Sequence, residues 1–152
     1  MFDKVIDYIK NAPFFRLAQH ACLIVLTFYM LNSGSLLVKK IFNFNINQKI
    51  PKEILKYNSI AHAYLEKYII FILIIAFGLL IIGLTLTIIQ PMTRYEVILI
   101  YASGLCDSGK WLMLLVGIHY IYRFSPISFI VITVILTSIV RIIYDLVNKY
   151  KN

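Results

Sequence analysis

Residues 93–124 read TRYEVILIYASGLCDSGKWLMLLVGIHYIYRF, apolar enough to lie in a membrane yet carrying Asp107 and Lys110 near the middle. On a helix those two share a face three residues apart, and the face continues through Glu96, Ser103, Leu114 and Gly117. A charged side chain at the bilayer centre costs about 2.5–3.5 kcal/mol even on the insertion scale. This intramembrane polar face is therefore expected to look at protein or water. From 95 to 122 the stretch is roughly 42 Å long if fully helical, so it can cross a core of about 30 Å with tilt. The competing reading is a re-entrant hairpin turning at Cys106-Asp107-Ser108-Gly109.

Outward from this segment the chain repeats the same message. Residues 68–90 carry no charge and form the clearest span. Ala76, Gly83 and Thr87 share a face there, and Gly83-x-x-x-Thr87 is a small-xxx-small step suited to close helix approach. Gly104, Ser108 and Gly117 are the corresponding small residues of the central segment. Proline at 91 is expected to end the helix.

Residues 51–67 read as an amphipathic extension of that span. Ile54, Tyr57, Ala61, Tyr64 and Tyr68 fall on heptad spacing, while Lys52, Glu53, Lys56, His62, Glu66 and Lys67 take the other faces. The aromatic stripe either packs on its own bundle and headgroups or docks a partner helix. A first span is expected over 17–38, closed by Lys39-Lys40 and loosened by Asn32-Ser33-Gly34-Ser35. A short interfacial helix precedes it over 1–12, and the alternating IFNFNINQKI of 41–50 suggests extended chain. The last span is expected over 126–147, with Ser125 as N-cap and Pro126 at its first position. Thr133, Thr137, Arg141 and Asp145 form a ladder along it, Arg141 and Asp145 one turn apart.

The fold class expected is all-α: one integral membrane helical bundle of about four transmembrane helices plus an N-terminal amphipathic helix. Composition agrees, since 61% of residues are hydrophobic and 14% charged, against about 45–50% and 25% in soluble domains. The net charge of +8 flanks the apolar blocks instead of forming one basic surface, which argues against nucleic-acid binding. Lys and Arg divide evenly between the two sides of a four-span topology, so orientation stays open.

Chemistry-bearing motifs are not found. His20, His62 and His119 are scattered, with neither H-x-x-x-H nor C-x-x-C, and the Gly-Lys of DSGKW lacks an upstream glycine loop. A hydrolytic set of Asp107, Ser103 or Ser108 and His119 would stretch over three helical turns. Cys22 and Cys106 read as buried thiols. No enzyme activity, cofactor or metal is expected.

The pairing of TRYEVILIY and KWLMLLVGIHYIYRFSP with ISFIVITVILTSIVRIIYD, with Tyr95-Glu96 opening one span, Pro126 the next, and Ile139-Val140-Arg141 with Asp145 closing it, resembles part of the phosphate-starvation-inducible PsiE family of small bacterial membrane proteins. The long N-terminal part departs from that pattern. The resemblance implies a multi-pass protein of the bacterial cytoplasmic (inner) membrane and transfers no catalytic residue.

Together these features point to a non-enzymatic multi-pass protein whose partners are the lipid bilayer and either further copies of itself or a membrane partner protein. An oligomerising sensor, pore or immunity subunit of a bacterial envelope-conflict system, in phage defence or toxin immunity, is the reading drawn by analogy with other short multi-span proteins. The alternative is a small ion or proton channel or transporter subunit using Asp107 and Lys110.

Overall fold

The computed structural model describes residues 13–42, 52–93 and 96–151, and these are helical except at 125–128. Four helices follow in order: α1 (Pro13–Phe42), α2 (Lys52–Thr93), α3 (Glu96–Phe124) and α4 (Phe129–Lys151). Each contains a segment long and apolar enough to cross a membrane, namely Arg16–Phe42, Leu55–Pro91, Val97–Phe124 and Phe129–Lys149. Large apolar side chains cover the outside, as the membrane reading requires: Ile70, Phe71, Ile81 and Ile88 are all exposed on α2. The interfacial helix expected over 1–12 and most of the extended connection over 41–50 lie outside the described residues, while Ile41 and Phe42 close α1 instead.

The extension and the second span are one helix of 42 residues, about 63 Å long, roughly twice the hydrocarbon thickness. It runs two residues past Pro91, where the ladder lacks the bond that a residue-91 amide would give the Thr87 carbonyl. α3 is likewise unbroken, so the hairpin at 106–109 does not form. Packing explains why the glycine there stays helical. A Cβ on Gly109 would stand 3.0 Å from the Ala76 carbonyl oxygen and 2.7 Å from Leu80 Cγ.

The same seam continues at Gly83, where a Cβ would stand 2.6 Å from Cys106 Sγ and 3.0 Å from the Ala102 carbonyl oxygen. Ala76 and Ala102 are wholly buried beside these glycines. Small residues thus let α2 and α3 lie backbone to backbone, which is how dispersion contacts hold helices together where lipid supplies no hydrophobic drive.

α1 runs parallel to α3. Tyr29 hydrogen-bonds His119 and Asn32 hydrogen-bonds Tyr122, each pair 90 residues apart. The core they enclose is Cys22, Tyr29, Leu65, Leu115, Ile118, Tyr122 and Phe129. Asn32-Ser33-Gly34-Ser35 does not loosen α1, which continues through it to Phe42.

Ser33 instead caps α4 across the chain. Its hydroxyl accepts from the Ile130 amide at 3.1 Å and donates to the Ile127 carbonyl at 3.3 Å. This corrects the expected Ser125-Pro126 start: Pro126–Ser128 form a turn, and the helix begins at Phe129. An orphan amide at a helix N-terminus accepts any well-placed oxygen, and the buried Ser33 supplies one. Beyond Thr133, every α4 residue up to Lys149 is exposed.

Candidate functional site

The inward face of the α2 extension carries Asn58, His62, Leu65 and Ile69, all buried or half-buried. The tyrosine stripe points the other way. Tyr57, Tyr64 and Tyr68 are exposed, Ala61 is half-buried, Tyr64 and Tyr68 stack with centroids 6.1 Å apart, and Lys67 Nζ lies 5.3 Å from the Tyr68 ring. The Ile54 side chain lies outside the described residues. It is thus the face of Asn58, His62, Leu65 and Ile69, not the aromatic stripe, that reaches the bundle interior.

There it meets the last two turns of α3. His119 is 1% exposed. Its Nε2 lies 3.0 Å from Glu66 Oε2, and its Nδ1 lies 2.7 Å from the Tyr29 hydroxyl. An ionised carboxylate only accepts, so Nε2 carries the proton, and Nδ1 is the acceptor for the Tyr29 hydroxyl. The other oxygen of Glu66 accepts from Arg123 Nη1 at 2.8 Å. A continuous chain of hydrogen bonds therefore runs from Tyr29 on α1 through His119 on α3 and Glu66 on α2 back to Arg123 on α3.

Aromatic packing fixes the inner end of this chain. Tyr29 is fully buried, stacks on Tyr122 with centroids 3.8 Å apart and planes 7° from parallel, and takes the edge of Phe129 at 6.0 Å. Asn32 Nδ2 donates to the Tyr122 hydroxyl. His62 completes the cluster, with ring centroids 5.1 Å from His119 and 5.8 Å from Tyr122. One potential ligand atom from each of His62, Glu66 and His119 lies within 4.8 Å of the other two. The cluster sits beside the start of the charge-free run of α2 and at the end of α3, toward one boundary of the spans. A cleft of about 750 Å³ lined by Tyr120, Ile121, Arg123, Phe124 and Ile132 opens next to Arg123.

The residues singled out from sequence are distributed differently. Asp107 and Lys110 do pair, with Lys110 Nζ 3.2 Å from Asp107 Oδ1, but on the outer face of α3, their side chains 58% and 68% exposed. Ser103, Leu114 and Gly117 line the same outer face, and nothing lies within 4 Å of a Cβ placed on Gly117. The Glu96 side chain lies outside the described residues. Gly83 and Ala76 face α3 in the seam, and Thr87 bonds back to the Gly83 carbonyl at 2.9 Å. Ser108 is buried and bonds the Gly104 carbonyl at 2.8 Å, lining with Ala21 and Leu79 an apolar crevice of about 280 Å³. On α4, Arg141 and Asp145 are exposed, and the ion pairs among the described residues do not include one between them. Thr133 and Thr137 return their hydroxyls to carbonyls of their own helix.

The sequence held one signal for the buried cluster. His62 and His119 are each followed four residues later by a charge, Glu66 and Arg123, of opposite sign. Two such one-turn steps in so apolar a chain mark helix faces that must find each other.

The fold is thus that of an all-α bundle whose four helices are long and apolar enough to cross a membrane. No family model, curated protein or solved structure matches the chain.

Proposed function

We propose that this protein is a non-enzymatic membrane subunit that works as a homo-oligomer, its copies meeting along the outer face of α3. The observation that carries this reading is the Asp107–Lys110 pair, closed at 3.2 Å yet exposed near the middle of the Val97–Phe124 span. Two charges at that depth are costly against lipid and tolerable against protein. Ser103, Asp107, Lys110, Leu114 and Gly117 follow alternating steps of four and three, the seam of a helix pair. Across a two-fold axis along the membrane normal the seam is self-complementary. Asp107 of one copy lies about 4.5 Å in depth from Lys110 of the next, within reach of a lysine side chain. Small Ser103 and Gly117 allow close approach.

Within that class, a sensor, pore or immunity subunit of a bacterial envelope-conflict system accords with the small size and the multi-pass, motif-poor chain. The second reading places the same seam on a symmetry axis, where Asp107 and Lys110 line an ion or proton path.

Energy transfer between differently labelled copies in liposomes tests the proposal. Wild type should associate, Asp107→Asn alone should weaken association about tenfold or more by stranding Lys110, and Asp107→Asn with Lys110→Met should recover it. A wild type that stays monomeric in the bilayer overturns the proposal. Ion flux separates the two readings: a well-folded double variant that still associates but no longer conducts assigns the pair to a pathway.

A further inference from the structure

We propose that His62, Glu66 and His119 form a binding site for a divalent first-row transition cation, of which zinc is the plainest case. This inference does not depend on self-association, because all three residues belong to one chain and lie away from the α3 outer face.

The donor set comes first. Two imidazoles and one carboxylate are ligands that zinc and ferrous iron accept, and three protein ligands leave positions open for water. Metal–ligand bonds of about 2.0–2.2 Å put neighbouring donor atoms about 3–3.5 Å apart. His119 Nε2 and Glu66 Oε2, at 3.0 Å, already span one such edge. A ligand atom of His62 lies within 4.8 Å of one on each of the other two residues, so closing the set requires the His62 imidazole to swing inward. His62 and Glu66 stand one turn apart on α2 with His119 facing them from α3, the arrangement by which helical bundles build metal centres from facing helices.

The surroundings fit a second requirement. A ligating histidine needs its other ring nitrogen held. When His119 gives its Nε2 lone pair to a cation, the ring proton must sit on Nδ1 and needs an acceptor. Tyr29, 2.7 Å away, is a hydroxyl that serves as donor to the metal-free tautomer and acceptor from the metal-bound one. In the metal-bound state the Tyr29 hydroxyl accepts from Nδ1 and its own proton turns away from His119. Glu66 is similarly prepared: Arg123 holds one carboxylate oxygen at 2.8 Å and leaves Oε2 to face the histidines. His62 makes no hydrogen bond with another described residue and only rests against rings, so its lone pair is not engaged there. Glu66 is 39% exposed, which gives a cation a route from water at the end of the bundle.

The test uses tag-free full-length protein in nanodiscs, stripped with chelator and titrated with Co²⁺, followed by Zn²⁺ competition. Wild type should take up one Co²⁺ per chain with visible ligand-field bands that zinc abolishes. His62→Ala removes a ligand while leaving the Tyr29–His119–Glu66–Arg123 chain intact, and should lose affinity by more than about 100-fold. Tyr29→Phe should lose about 10–100-fold, the usual cost of removing a partner of a ligating histidine. His20→Ala, exposed elsewhere on α1, should bind as wild type does. Absence of stoichiometric Co²⁺ binding by helical wild type overturns the proposal, as does a His62→Ala protein with the wild-type spectrum and affinity. The wild-type titration decides even where a variant fails to fold.

Discussion

The two charged sites of this chain are built on opposite plans. Asp107 and Lys110 sit three residues apart on one helix, and the pair needs nothing but that helix to form. Tyr29, His119, Glu66 and Arg123 come from three helices and separations of 90 and 53 residues, and their chain exists only when α1, α2 and α3 are all in place. The first site is turned outward and remains available to another molecule. The second is buried at its histidine and bound into an aromatic stack, so it reports on the integrity of the bundle. A local pair can thus be an adapter, while a long-range one is a clasp.

Separating α2 from α3 should break the clasp and spare the adapter. Gly83→Leu places a side chain where a single Cβ already meets Cys106 Sγ at 2.6 Å, and overpacking of this kind should cost about 3 kcal/mol. Thermal unfolding in detergent should shift down, and the buried Cys22 thiol should become reactive to maleimide. A wild-type melting curve with a protected Cys22 would show that the cluster does not depend on the seam.

Tyr29→Phe is a smaller cut at the same site. It removes the donor to buried His119 Nδ1 and keeps the stacking on Tyr122, so a loss of about 1–2 kcal/mol is expected in chemical denaturation. No loss would mean that the hydroxyl contributes nothing to the clasp. Ser33→Ala should cost about 1 kcal/mol by uncapping α4, whereas Ser125→Ala should be silent. The reverse order would return the cap to its local position. The smallest effect belongs to the adapter: Asp107→Asn with Lys110→Met should leave the melting temperature of the dispersed chain unchanged within error. A large shift there would show the outer pair to be part of the fold.

The helices were legible because their signals are local. The charge-free run of 68–90, the small residue Gly83 and the Asp107–Lys110 spacing all lie within a few turns, and α2 and α3 follow them closely, whereas Thr87 is exposed instead of facing α3. The small-residue seam was half legible: Gly83 and Ala76 stand out among Ile and Leu, but their partners Ala102 and Gly109 are fixed only by the register of the two helices. The clasp was hidden because its members look unremarkable alone. His62 and Glu66 shared their helix with a tyrosine stripe that made the more conspicuous pattern, and only the fold shows that the stripe faces outward. Ser33 was hidden in the same way, its cluster resembling a weak helix end until Ile130 arrived from the far side of the sequence.

That last contact bears on the order in which the protein is made. Synthesis delivers Ser33 long before the Ile130 amide that it receives. Until then its hydroxyl, Tyr29 and Tyr122 surround a place that only Phe129 fills. Without α4 the first three helices would therefore leave an aromatic socket open, and the first turn of α4 closes it against α1.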